Sequence, residues 1–97
     1  MKITIQNPTS NSRNLLRQAG YAMQQNQKGE INFVRRIHGD DYPRFHIYVN
    51  REEPGNIIEI ELHLDEKKPS YHGYKAHSGE YEGKVIEMEK ERILKTF

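Results

Sequence analysis

The chain predicts an α+β domain of two layers, an antiparallel sheet with two helices on one face and elements in the order βαβββα. Three observations lead there. Two alternating strand patterns, Arg44 to Asn50 and Ile57 to Asp65, carry apolar faces that match across a hairpin. A helical apolar repeat through Val85, Ile86, Ile93 and Phe97 closes the chain. Hydrophobic residues make up only 34% of the 97 positions against 30% charged, which suits a sheet with one wet face.

Taken in order, Lys2 to Gln6 alternates with Ile3 and Ile5 on one side and reads as a short strand. Asn7 to Ser12 is turn and N-cap chemistry. Leu15, Leu16, Ala19, Ala22 and Met23 then recur at helical spacing, predicting one amphipathic helix to Gln27, with Gly20 as a soft or close-packed point and Gly29 as the stop. Glu30 to Ile37 is the next strand, its Ile31, Phe33, Ile37 face interrupted by Arg35. His38 to Pro43 makes a turn, and Arg51 to Asn56 is a longer hairpin loop with Pro54-Gly55 at its centre. Setting Asn50 opposite Ile57 aligns Val49 with Ile58, Ile47 with Ile60 and Phe45 with Leu62. The same register puts His46 opposite Glu61, Tyr48 opposite Glu59 and Arg44 opposite His63. The last helix starts near Glu80 or Lys84, depending on whether Gly83 is tolerated.

Length and composition bound the function. A chain of 97 residues is a single domain, 1–97, with one modest core, so no cofactor is expected. No apolar run is long enough for a membrane span or a secretion signal, so a cytoplasmic protein without a membrane partner is expected. The absence of cysteine excludes disulfides, thiolate metal sites and a cysteine nucleophile. Net charge is +1, about +4 in residues 1–50 and −3 in residues 51–97, which hints at a basic patch from Arg13, Arg17, Arg35, Arg36 and Arg44.

Three constellations carry candidate chemistry. A histidine across from a carboxylate, as His46 and Glu61 stand in the predicted register, is the pair that fixes an imidazole tautomer for proton transfer. The plainer reading is a cross-strand ladder of polar pairs. His63 and Asp65 share a strand face two residues apart, and with His77, His72 or Glu80 they could supply nitrogen and oxygen ligands to a metal, although the spacing matches no zinc pattern. Residues 67–80 form a long loop in which Tyr71, Tyr74, Lys67, Lys68, Lys75, His72 and His77 mix aromatic and basic groups, as single-strand nucleic-acid binders do. The plainer reading is a loop whose tyrosines seal the sheet edge. Ser78 lacks a nucleophile elbow, and Gly73, Gly79 and Gly83 form no phosphate-binding pattern.

The run His63-Leu64-Asp65-Glu66-Lys67-Lys68-Pro69-Ser70-Tyr71, followed by Ala76-His77-Ser78-Gly79-Glu80-Tyr81, resembles a motif of short, uncharacterised bacterial proteins of about this length. The resemblance implies no activity, only that hairpin and loop belong together. The order of elements differs from that of the ribonucleoprotein-type RNA module. The residues therefore lead to a small non-enzymatic binding module for nucleic acid or a partner protein. Its contacts would come from Arg36, Arg44, His46, Tyr48 and His63 on the polar sheet face, together with the loop. A metal- or histidine-dependent phosphoester hydrolase built on His46 and Glu61, or on His63, Asp65 and His77, is the alternative.

Overall fold

The computed structural model describes residues 1–66 and 78–97. Five strands, β1 (Lys2–Gln6), β2 (Ala22–Gln25), β3 (Ile31–Arg36), β4 (Arg44–Glu53) and β5 (Ile57–Asp65), form one sheet of order β1-β5-β4-β3-β2. Every neighbouring pair is antiparallel. Two helices, α1 (Ser12–Gln18) and α2 (Ser78–Thr96), complete the α+β domain. Alternation sends Ile3, Ile5, Phe33, Phe45, Ile47, Ile58, Ile60 and Leu62 to one face, where Leu15, Leu16 and Ala19 from the α1 segment and Ile93 of α2 close the core over them.

The predicted long first helix is instead a short helix followed by a strand. Asn11 caps α1 by accepting from the Asn14 amide at 2.8 Å. The helix ends at Gly20, whose φ of +96° only glycine adopts freely. There the Tyr21 N–H donates to the Leu16 carbonyl and the Gly20 N–H to the Arg17 carbonyl, both at 2.9 Å. This pair of bonds is the Schellman closure, and it buries Tyr21, the second residue past the Ala19 cap. Ala22 and Met23, assigned above to the helix stripe, lie exposed in β2. Gly29, with φ of +87°, is the turn glycine of the β2–β3 hairpin rather than a helix stop.

The β4–β5 hairpin differs by register. Asn56 N–H closes a four-residue turn onto the Glu53 carbonyl at 2.9 Å, with Pro54 second and Gly55 third at φ +72°. The loop is therefore tighter and β4 runs on to Glu53. Phe45 faces Leu64, Ile47 faces Leu62 and Val49 faces Ile60, two residues from the predicted alignment. A shift of two keeps every side chain on its face, so the apolar pattern cannot distinguish the alignments. Beyond Val49 the extra residue Asn50 forms a bulge and reverses the phase, turning Glu52 onto the helical side beside Ile58. There its carboxylate accepts from the Ser12 N–H at 2.8 Å and the Ser12 hydroxyl at 2.6 Å.

Helix α2 begins at Ser78, ahead of the predicted start, with Gly83 inside it. Val85, Ile86 and Phe97 pack against the core around fully buried Ile93, as the apolar repeat predicts. Glu89 is buried between Ile86 and Ile93, whereas Met88 is exposed. Glu89 is only 4% exposed and accepts from the Tyr21 hydroxyl at 2.6 Å, from Arg92 Nε and Nη2 at 2.8 Å each, and from Arg35 Nη1 at 3.4 Å. Arg92 Nη2 also donates to the Ala19 carbonyl at 2.6 Å. The arginine that interrupts the β3 apolar face is thus matched by a carboxylate from the helix above it.

Burial and then the Glu89 carboxylate push the Tyr21 phenol well above its ordinary value. The unfolded chain releases this proton near pH 10 and the folded chain does not, so the contribution is complete below about pH 10 and falls as pH rises beyond it. Tyr21→Phe should cost about 1.5–3 kcal/mol at neutral pH, the range for a hydrogen bond to a charged group. Denaturant melts at pH 7 and pH 11 should show the variant losing less stability between them than the parent. Gly83 is an independent case: nothing lies within 4 Å of where its Cβ would be, and its φ is not positive. Gly83→Ala should therefore stabilise by about 0.5–1 kcal/mol, read as a higher denaturant midpoint at unchanged slope.

Candidate functional site

The sheet face away from the helices carries the candidate residues in cross-strand rows. Arg36, Arg44 and Asp65 form one row, and Ala22, Val34, His46 and His63 form the next. Tyr48 follows beside Glu61, which in turn faces Lys2. Five of the residues proposed from sequence for binding, Arg36, Arg44, His46, Tyr48 and His63, do share this face. Lys67, Lys68, Tyr71, His72, Tyr74, Lys75 and His77 lie outside the described residues.

The expected His46–Glu61 pair does not form, because the tighter turn and the Asn50 bulge set His46 opposite His63. Glu61 instead accepts from the Met1 amine at 3.1 Å, which holds its carboxyl below the usual range, and from Asn50 Nδ2 at 3.5 Å. Tyr48 stands opposite Glu61, not Glu59, and Arg44 opposite Asp65, not His63. The carboxylate that His46 meets belongs to Asp65, with Nδ1 to Oδ2 at 3.1 Å. Asp65 also accepts from Arg44 Nε at 3.4 Å, and the Arg44 guanidinium lies 4.8 Å from the Tyr42 ring centroid. The basic patch inferred from the first half is divided: Arg35 turns toward α2, whereas Arg36 and Arg44 stand directly opposite each other on the polar face. Arg36 pairs with Asp41 at 3.1 Å.

Next to this arginine and carboxylate corner, the rings form a row. His46 and Tyr48 have centroids 4.7 Å apart, and Tyr48 meets His63 edge-on at 6.2 Å. Tyr48 is 37% exposed and His63 is exposed, while His46 is mostly covered. A carboxylate can only accept, so His46 in its neutral form donates Nδ1–H to Asp65 and leaves Nε2 as the unprotonated nitrogen. That nitrogen is buried without a hydrogen-bond partner, as is Oδ1 of Asn32. Among the described residues no three histidines or carboxylates cluster as a metal site would need. His63 and Asp65 do share a strand face, but Asp65 is directed to Arg44 and His46.

Comparison with known proteins gives no matching family model, no matching curated protein and no matching solved structure. The site is therefore argued from this chain's residues alone. Sequence reasoning grouped Asp65 with the metal ligands and missed it as the partner of His46. The signal was present in the spacing, since a hairpin closed at Glu53 and Ile57 brings Asp65 to the end of β4. It also missed Glu89 and the exposed strand β2.

Asp65→Asn removes the acceptor that selects the Nδ1–H form. Long-range ¹H–¹⁵N spectra of the imidazoles should show neutral His46 as the Nδ1–H tautomer in the parent. In the variant they should show a shift toward the Nε2–H form.

Proposed function

We propose that this chain is a small non-enzymatic binding module whose polar sheet face docks a partner protein. The row His46–Tyr48–His63, supported from one end by Asp65 and Arg44, carries this reading. Tyrosine at the centre of a rigid platform gives a large contact area with few rotors to freeze, which is why such rings concentrate binding energy at interfaces. Strands β4 and β5 supply the rigidity.

The mixed charge of the face favours protein over nucleic acid. Glu53, Glu59, Glu61 and Asp65 lie on the same side as Arg36, Arg44 and Arg51. A phosphate backbone meets carboxylates along β5 as well as guanidiniums on β3 and β4, and repulsion offsets the counterion gain that drives such complexes. A protein surface can match both signs. The burial of His46 Nε2 weighs against the hydrolase alternative, because a general base must reach the proton it abstracts.

A displayed library of random linear peptides, selected on the intact chain, tests the proposal. Enriched peptides should bind the parent and lose about tenfold in affinity, about 1.4 kcal/mol, on the Tyr48→Ala/His63→Ala double variant. Neither side chain belongs to the buried core, so the variant should remain folded, as a cooperative thermal melt would show. Salt-sensitive binding of labelled single-stranded RNA or DNA, lost in the same variant, would replace the partner protein by nucleic acid. Peptides indifferent to the double variant would remove the sheet face from the site.

A further inference from the structure

Among the described residues strand β2 ends the sheet, and no strand pairs with its outer edge. Asn26 N–H bonds to the Glu30 carbonyl, so in this antiparallel pair the hydrogen-bonded positions are the even ones, Gln24 opposite Asn32 and Ala22 opposite Val34. Met23 and Gln25 therefore point their N–H and C=O groups away from β3. The devices that usually protect an edge, a lysine, a proline, a bulge or an inward charge, are all missing from Ala22-Met23-Gln24-Gln25. The opposite edge, β1, carries Lys2.

A groove flanks this edge on each face of the sheet. On the polar face a groove of about 510 Å³ is lined by Gln24, Val34, Arg36 and Arg44 among others, with no carboxylate among its described lining residues; Arg35 also borders it, but its guanidinium is turned to Glu89 on the helical side, and Asp41 and Asp65 pair with Arg36 and Arg44 from outside the groove. On the helical face a groove of about 420 Å³ is lined by Met23, Ile31, Phe33 and Val49, with Arg13 and Glu52 nearer α1. Met23 and Ile31 are 46% and 47% exposed there.

We infer that β2 accepts an extended segment of another protein as a sixth strand, one in which apolar residues alternate with aspartate or glutamate. Successive side chains of an added strand point to opposite faces, so every second residue enters the apolar groove and the others lie over the arginines. Charge complementarity selects this occupant over a second copy of the chain, since pairing β2 with β2 would bring two arginine grooves together. The inference rests on the reading of the chain as a module for protein partners, but it concerns a different surface. The row Ala22, Val34, His46, His63 connects the two.

The test uses ¹⁵N-labelled intact chain and a short end-blocked peptide of alternating valine and glutamate at up to millimolar concentration. Amide signals of Met23 and Gln25 should shift and exchange more slowly with solvent. The same peptide methylated on alternate backbone nitrogens should lose this effect, and so should a valine and lysine peptide. Arg36→Glu, at an exposed position, should weaken the valine and glutamate peptide by about tenfold or more. Equal binding of the methylated or lysine peptide would overturn the inference, as would no response at Met23 and Gln25. Shifts centred on Tyr48 and His63 would overturn it while leaving the proposed sheet-face site in place. Dimerisation of the chain through β2 without peptide would assign the edge to a second copy instead.

Discussion

The carboxylate of Glu89 is the contact on which the placement of the helix layer depends. It sits where α2, the end of α1 and strand β3 meet, buried among apolar side chains yet held by Tyr21, Arg35 and Arg92. Moving a carboxylate out of water costs several kcal/mol, and the geometry recovers that cost only if every lone pair is used. Four donor contacts from three side chains meet that condition. Removing a charged partner from such a cluster is commonly a loss of about 3–5 kcal/mol, whereas an apolar replacement of the whole set can be neutral, so its effect is specificity of docking more than stability. Arg92 extends this specificity by reaching the Ala19 carbonyl, one of the groups that α1 leaves unpaired at its end. Helix α2 can therefore dock only in the position at which the Schellman turn has already placed Tyr21 and Ala19.

A second constraint comes from one residue on β4. Were Asn50 paired in regular alternation instead of bulged out, Glu52 would fall on the polar face and leave the Ser12 amide and hydroxyl without their carboxylate. With it, β4 does two jobs along its length: residues 44–49 build the ring and arginine face, and residues 51–53 serve α1 and the turn. A carboxylate at the first turn of a helix as short as α1 complements amides with no partner inside the helix, and seven residues hold little helical stability of their own. The bulge thus links the layer of helices to the register of the opposite face.

How far the sequence discloses this architecture follows from which signals are degenerate. Strands β1, β3, β4 and β5 and the core stripe of α2 show in alternation and helical spacing, because burial on one face leaves no other periodicity. Strand β2 does not, because Leu15, Leu16, Ala19 and Met23 fit a continuous helix and β2 buries nothing that would contradict it. The distinguishing feature was Gly20 followed by Tyr21, a glycine able to take positive φ and an apolar residue able to cover the last turn. The register error in β4–β5 has a similar cause, since a slip of two conserves both faces and only turn chemistry at Glu53 to Asn56 separates the alternatives. That slip changed the neighbour of His46 from Glu61 to His63 and its carboxylate partner to Asp65, so the candidate site was legible as a face but not as a set of pairs. Glu89 was legible only as an acidic residue at the centre of an apolar stripe with Arg92 three positions on.

The chemistry of the polar face follows from Asp65 being shared. Arg36 and Arg44 stand directly across β3 and β4, where like charges repel, and the arrangement holds because Asp41 takes one guanidinium and Asp65 the other. Since Asp65 also accepts from His46, its negative charge is divided between a permanent cation and an imidazole. The proton of neutral His46 is fixed on the nitrogen facing that carboxylate, and the other nitrogen lies buried beside Tyr48. Beside it Tyr48 and His63 are exposed on the same sheet face, where Arg44 and His46 share the Asp65 carboxylate.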